Sequence, residues 1–345
     1  MIVLGVESSC DETAVALVER GQRNRVLAEQ VKTQIPLHAQ YGGVVPEIAS
    51  RNHYEVIDLL ASRVLQETGL TPGDIDLIAF TQGPGLIGSL IIGLSFAKGF
   101  SYSHRIPLVG IDHIYAHIDA AFIDNPQIEY PLIALVISGG HTSLFYQPER
   151  FDTRLIAKTR DDAVGEIMDK AAKYFGLGYP GGPILDQLYP GGDPKKFSFT
   201  QPKMSDGSID FSFSGYKTAV IRHPAGQGLK TDTQEFKDLI ASFLSSVVDY
   251  LLSKTLQASE QFPVKSVIVA GGVGRNSLVR KRFGEELTRR GVPLFLPAPR
   301  FCTDNAAMIA WLGYETFTHF PDRDYFDYSV NCYSRALFPR SPRHR

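Results

Sequence analysis

Two histidines four residues apart, in Asp112-His113-Ile114-Tyr115-Ala116-His117, carry the most explicit chemistry in this chain. On a helix, residues four apart share a face, so both imidazoles can reach one cation. The pair needs a third donor. Asp304, in Cys302-Thr303-Asp304-Asn305-Ala306-Ala307-Met308, is the candidate. Its plainer duty would be to cap a helix running to about Tyr314. Two histidines and a carboxylate with open positions suit Fe(II) or Zn²⁺, and these residues alone do not choose between them. A zincin-type protease would need His-Glu-x-x-His, whose glutamate is the general base. Ile114 fills that slot.

A second group of residues suits an anionic, nucleotide-like ligand. Ser138-Gly139-Gly140 can form a turn whose successive amides cradle an anion, or simply a tight hairpin. Asp169 is expected on a helix ending at Gly176, with Gly181-Gly182-Pro183 and Asp186 after it. Gly182 permits close approach of a flat ring or a sugar. Asp169 and Asp186 can accept hydrogen bonds from ribose hydroxyls, as acids do in dinucleotide folds. The plainer role of Asp169 is a helical pair with Lys173. Asn276 follows the glycine turn Gly271–Gly274, where its plainer role is again a helix cap.

The elements that must position these residues read as two similar halves. Ile2–Val6 and Thr13–Val18 flank the polar turn Glu7–Glu12 as a hairpin, with a third strand near 26–34. A helix follows from Pro46 to Thr68, ended by Gly69. Leu77–Thr81 is a short strand before Gly83-Pro84-Gly85, with a helix over Ser89–Phe100 and a strand over Val109–Ile111. The second half restarts with Leu132–Ile137 and Thr142–Tyr146 around Ser138–His141, and later gives Ser266–Ala270, a glycine turn and a helix over Ser277–Arg290. This order of parts implies an internal duplication: an α/β protein of two lobes, mostly parallel sheets, and an inter-lobe cleft into which the three polar turns point.

The chain has 345 residues, 43% of them hydrophobic and 21% charged, which is enough for about two domains. A net charge of -2 gives no bulk attraction for nucleic acid. Any RNA contact must come from local patches: Arg275, Arg280, Lys281, Arg282, Arg289 and Arg290, or the tail from Arg335 to Arg345. Three cysteines (Cys10, Cys302, Cys332) with no C-x-x-C suit a reducing cytosol. The opening MIVLGVESSCDE has no basic stretch and does not read as a signal peptide. Leu86–Ala97, the most apolar stretch, carries glycine and serine, ends at Lys98 and is far short of the ~20 apolar residues that a membrane span needs.

With these segments in view, the chain resembles the bacterial tRNA N6-adenosine threonylcarbamoyltransferases, the TsaD family, once called O-sialoglycoprotein endopeptidases. The shared stretches include Gly5-Val-Glu-Ser-Ser-Cys-Asp-Glu-Thr13, His38-x-x-Tyr-Gly-Gly-Val-Val-Pro-Glu-x-Ala-Ser-Arg-x-His53 and His113-x-x-x-His117. They continue through Val136-Ile-Ser-Gly-Gly-His-Thr142, Tyr179-Pro-Gly-Gly-Pro183, Asp210-Phe-Ser-Phe-Ser-Gly-x-Lys-Thr218 and Thr303-Asp-Asn-Ala-Ala-Met308. The resemblance implies the two-lobed actin-like (ribonuclease H-like) fold shared with Hsp70 and sugar kinases. The first lobe would be residues 1–108, completed by 325–345, and the second 109–324. It implies one metal on His113, His117 and Asp304, iron first, with zinc or magnesium as alternatives. It further implies that Val136, Ile137, Ser138, Gly139, Gly140, Asp169, Gly182, Asp186 and Asn276 hold threonylcarbamoyl-AMP, and that Asp11 and Glu12 approach the reacting centre. The acceptor would be tRNA, at N6 of the adenosine 3′ of the anticodon, in the cytoplasm. An inactive paralogue (TsaB) and a small ATPase (TsaE) would be partners. The rivals are a metalloprotease, opposed by Ile114, and an ATP-binding kinase of the same fold, which has no need of a His–His–Asp site.

Overall fold

The structure is a computed structural model, and it describes residues 1–226 and 231–335. In chain order, it opens with β1 (Ile2–Glu7), β2 (Glu12–Glu19), β3 (Arg25–Thr33), α1 (Ile35–Ala39) and α2 (Pro46–Thr68). Then come β4 (Leu77–Gly83), α3 (Ile87–His104), β5 (Leu108–Asp112) and α4 (His113–Asp124). The second repeat holds β6 (Leu132–Ile137), β7 (Thr142–Glu149), β8 (Asp152–Lys158), α5 (Val164–Tyr174), α6 (Gly181–Leu188) and α7 (Ser214–Ile221). It continues with α8 (Gln234–Gln261), β9 (Ser266–Ala270), α9 (Ser277–Arg289) and β10 (Leu294–Phe295), before α10 (Pro299–Cys302) and α11 (Ala306–His319).

The chain forms two compact units. One is Met1–Pro126 with the described residues from Pro297 onward; the other is Gln127–Leu296. The division therefore differs from the expected break after residue 108: α4, α10 and α11 belong with the first unit. The reason is burial. The apolar residues Ala306–Leu312 are all buried in α11, which lies across β1, β2 and β4 and against α4. The segment after Tyr325 also belongs here, since Leu108 N donates to Tyr325 O at 2.8 Å and Tyr333 N to Gln82 O at 3.1 Å. The basic tail beyond Arg335 lies outside the described residues.

Each unit contains a five-stranded sheet, ordered β3-β2-β1-β4-β5 in the first and β10-β9-β6-β7-β8 in the second. Both sheets have the same plan. A central strand (β1 or β6) has its hairpin partner antiparallel on one side, and on the other side two strands run parallel to it. The duplication is thus present, but the sheets are mixed rather than mostly parallel. The opening hairpin of each repeat and its third strand supply antiparallel neighbours, and only the strands reached through helices are parallel.

The core of the second unit is built around α8, which buries Leu239, Phe243, Val247 and Leu251 completely. Among the described residues α8 alone is long and apolar enough to cross a membrane, and 72% of its most apolar stretch is buried inside the protein. In the first unit, close packing of α11 on β1 requires glycine at position 5. A Cβ there would lie 2.2 Å from Ala306 O and 2.9 Å from Ala310 Cβ. Gly5→Ala is therefore expected to lower stability by about 1–3 kcal/mol through overpacking, read as a lower midpoint in urea unfolding. An unchanged midpoint would show that α11 shifts without cost.

Candidate active site and metal centre

In the first unit, the polar residues sit where strands end and helices begin. β5 runs directly into α4, whose N-cap Asp112 accepts from Ile114 N (2.9 Å) and Tyr115 N (3.1 Å). Tyr333 donates to the same carboxylate at 2.7 Å. This cap fixes the first turn of α4 and so places His113 and, one turn on, His117. The start of α11 is also saturated. Asn305 accepts from Met308 N at 2.9 Å, and Glu29 Oε1 accepts from Ala306 N (3.0 Å) and Ala307 N (2.9 Å). Asp304 is therefore not the cap of that helix; its neighbour Asn305 is, and the Asp304 carboxylate is turned to the histidines.

The resulting geometry is convergent. Asp304 Oδ1 lies 3.1 Å from His117 Nε2 and 3.5 Å from His113 Nε2. The two imidazole rings are 4.6 Å apart at 80°. One donor atom from each of His113, His117 and Asp304 lies within 4.8 Å of the others, and Asp11, Glu12 and Asp304 form a second such group. Ligands roughly 2.0–2.2 Å from one ion, at ordinary angles, stand about 3–3.5 Å apart. The donor set, its chemistry and its spacing therefore fit a single divalent ion.

The charges point the same way. Burial raises the Glu12 carboxyl, with Asp304 and Asp11 beside it adding to the shift, up to about 10. A positive charge among these acids opposes the last two causes. Burial would lower the pKa of His113, but the carboxylates of Glu7 and Asp304 outweigh it and push it up to about 9. Burial, reinforced by Asp11 and Asp304, pushes the Cys10 thiol well up, so Cys10 is held as a thiol and not as a nucleophilic thiolate.

Sequence reasoning missed the residues that hold this site from behind. Glu7 lies 3.0 Å from His113 Nδ1 and also takes Thr81 Oγ1 at 2.6 Å and Ser9 N at 2.6 Å. His53, fully buried on α2, bridges Cys10 O (3.0 Å) and Thr13 Oγ1 (2.7 Å) and so pins both ends of the turn that carries Asp11 and Glu12. The signal was present: an ionisable residue ends the apolar run Ile2–Val6, and a histidine lies on the inner face of α2.

In the second unit the other predicted residues lie in β6, on the turns after β6 and β9, and on α5 and α6. The turn after β6 closes on itself, with Ser138 N donating to His141 O (2.8 Å) and His141 N to Ser138 Oγ (3.1 Å). Gly139 and Gly140 are exposed, and a Cβ on either would meet no protein atom within 4 Å. Packing does not require those glycines; they leave an open cradle. Gly271 differs: its φ is +88° and a Cβ would meet Ile137 O at 2.4 Å, so the β9 turn packs directly on the end of β6. Asp169 Oδ1 accepts from Gly181 N at 2.7 Å, at the start of α6. Asp186 accepts from Ser277 N (3.0 Å) and Ser277 Oγ (2.7 Å), tying α6 to α9. Near Gly182 a Cβ would meet only Met168 Sδ, at 3.9 Å. Asn276 caps α9 through Leu278 N and Val279 N, both at 3.1 Å, while its Nδ2 is buried with no hydrogen-bond partner. The capping role thus aims an unused donor. Val136 and Ile137 are fully buried in β6, so only their main chain is available to a ligand. In the basic patch, Arg289 and Arg290 both pair with Glu286, and Arg282 lies 3.9 Å from Asp249.

Two repeats of one mixed five-stranded sheet define the actin-like class of α/β proteins. Solved structures of that build include T. kodakarensis HypF (TM-score 0.60, 14% identity, 92% of this chain and 48% of that one). Component A of the Acidaminococcus fermentans (R)-2-hydroxyglutaryl-CoA dehydratase is another (TM-score 0.52, 15% identity, 92% and 99%). At such identities the likeness is one of fold alone. Residues 25–311 match the family described as TsaD, tRNA N6-adenosine threonylcarbamoyltransferase. Curated relatives of that name from Caldicellulosiruptor bescii and Fusobacterium nucleatum are each 47% identical over 91% of this chain, covering 92% and 91% of their own lengths. The chain belongs to the tRNA N6-adenosine threonylcarbamoyltransferase family. It is accordingly an enzyme, a transferase that modifies tRNA.

The His53 bridge can be tested by itself. His53→Ala removes the hydrogen bonds to Cys10 O and Thr13 Oγ1 and is expected to cost about 1–3 kcal/mol. Amide hydrogen exchange should accelerate in residues 8–13 and not in the second unit. Unchanged protection there would show that the turn holds itself.

Proposed function

We propose that this enzyme transfers the threonylcarbamoyl group of threonylcarbamoyl-AMP to N6 of the adenosine 3′ of the anticodon, in tRNAs that read codons beginning with A. The observation that carries the reading is the convergence of His113, His117 and Asp304 beside Asp11 and Glu12 in a chain of this family. The bond formed joins N6 to the carbamoyl carbon. The bond broken joins that carbon to the phosphate oxygen, so AMP leaves and the amine gives up one proton.

His113, His117 and Asp304 would hold one divalent ion, Fe(II) first and zinc or magnesium as alternatives. Such an ion supplies Lewis acidity to a carbonyl and a leaving phosphate. The remaining work falls to the chain's own groups. Ser138 N is used within its turn, so the Gly139 and Gly140 amides are the donors offered to the phosphate. Asn276 Nδ2, buried and otherwise unused, is a further donor to the adenylate. Asp169 and Asp186 are carboxylates, acceptors of the kind that suits ribose hydroxyls. Asp11, or Glu12 once a cation beside it offsets the Asp304 and Asp11 charges that raise its carboxyl, would take the amine proton, a role worth about 10²–10⁴-fold in rate. An anticodon-loop base is already unpaired, so no duplex has to be opened. By family likeness, an inactive paralogue (TsaB) and a small ATPase (TsaE) assist, and the reaction takes place in the cytoplasm with its tRNA.

The test is a transfer assay with the metal-loaded chain and those partners, threonylcarbamoyl-AMP and unmodified tRNA, read as modified nucleoside by mass spectrometry. The wild type should form N6-threonylcarbamoyladenosine. His117→Ala should lose at least about 10²-fold in rate. Asn276→Asp, which keeps an oxygen for the α9 cap, should keep its unfolding midpoint but bind the adenylate at least about tenfold more weakly. A wild type that forms no modified nucleoside, or a His117→Ala variant as active as wild type, would refute the proposal.

A further inference from the structure

We infer that Glu7 is a positioning residue that decides which nitrogen of His113 is available to the ion. The inference rests on the metal centre proposed above. Glu7 is fully buried at the end of β1, and its two oxygens have different partners. Oε1 accepts from Ser9 N at 2.6 Å, a group that can only donate. Oε2 accepts from Thr81 Oγ1 at 2.6 Å and lies 3.0 Å from His113 Nδ1. Ser9 Oγ is 3.3 Å from the same nitrogen. Glu7 already accepts from Ser9 N and Thr81 Oγ1, so as the acceptor of this cluster it takes its third bond from a proton on His113 Nδ1. Nε2, on the side facing Asp304 Oδ1 at 3.5 Å, is then the nitrogen an ion can take, by displacing the proton held there beside that carboxylate. His117 lacks such backing, since its Nδ1 is buried without a hydrogen-bond partner. Of the two imidazoles, His113 is the one whose proton is fixed from behind by a carboxylate.

The near-isosteric change Glu7→Gln inverts this arrangement. Ser9 N still needs an acceptor, so the amide oxygen must stay at the Oε1 position. The amide NH₂ then faces Thr81 Oγ1 and His113 Nδ1. The Thr81 hydroxyl can turn to donate to Val6 O, 3.4 Å away. His113 Nδ1 has to become an acceptor, its proton sits on Nε2, and that atom no longer offers a lone pair to an ion.

The experiment uses the full chain, metal-free and labelled with [15N]histidine, at pH 7. The wild type should show His113 Nδ1 with the nitrogen shift of a protonated site, and Glu7→Gln that of an unprotonated one. Titration with Zn(II), and with Fe(II) under anaerobic conditions, should show affinity about 10–100-fold weaker in Glu7→Gln. The unfolding midpoint of the metal-free variant should stay close to wild type. An unprotonated Nδ1 in the wild type, a measurement that needs no variant, would overturn the inference. So would a folded Glu7→Gln that binds Zn(II) as tightly as wild type. A wild type with Nδ1 protonated that binds neither ion would instead sink the metal centre beneath the inference, leaving the assignment of the proton intact.

Discussion

Buried negative charge that has to be answered governs the first unit. A carboxylate taken out of water costs several kcal/mol unless donors or counter-charges meet it. Glu7 is met by Ser9 N, Thr81 and His113. Asp112 is met by two amides of α4 and by Tyr333. Glu29 is met by two amides at the start of α11. Each of these acids fixes the end of an element; donors hold the Glu7 carboxyl below its usual range, while burial still raises those of Asp112 and Glu29. Asp11, Glu12 and Asp304 differ, because they crowd one another and the Glu12 carboxyl is driven far above its ordinary range. The counter-charge that this group calls for is a cation, and His113 and His117 stand at its edge.

The duplicated topology explains why chemistry collects where it does. In each unit the central strand ends in a polar turn back to its hairpin partner: Ser8–Asp11 after β1 and Ser138–His141 after β6. Helices begin beside those turns and carry the remaining groups. The first unit has histidines and acids whose donor atoms could hold an ion. The second has open glycines, two aspartates and an amide with a spare donor, which suit a nucleotide. One architecture, used twice, thus gathers two different sets of polar groups.

Much of this was legible in the sequence because it depends on local rules. The hairpins, the glycine turns and the helical spacing of His113 and His117 are set by neighbours in the chain, and Asp304 stands out as a third donor before the family motifs add to its case. What escaped depends on distant packing. The unit boundary follows α11 onto β1 and β4, which no local pattern announces. Asp304 and Asn305 are equally good caps by residue type; the chain uses Asn305 for Met308 N, and Glu29, more than 270 residues away in sequence, takes the amides of Ala306 and Ala307. Glu7 reads as part of a turn, yet its role comes from Thr81 in β4 and His113 at the start of α4. α8 was passed over although it is the longest helix among the described residues, because an apolar run without a functional residue draws no notice.

The most direct measurement is anomalous diffraction at the iron edge from crystals of the protein loaded with Fe(II) under anaerobic conditions. The account requires one peak within bonding distance of His113 Nε2, His117 Nε2 and an Asp304 oxygen. Iron bound elsewhere, with those three side chains holding only each other, would contradict it.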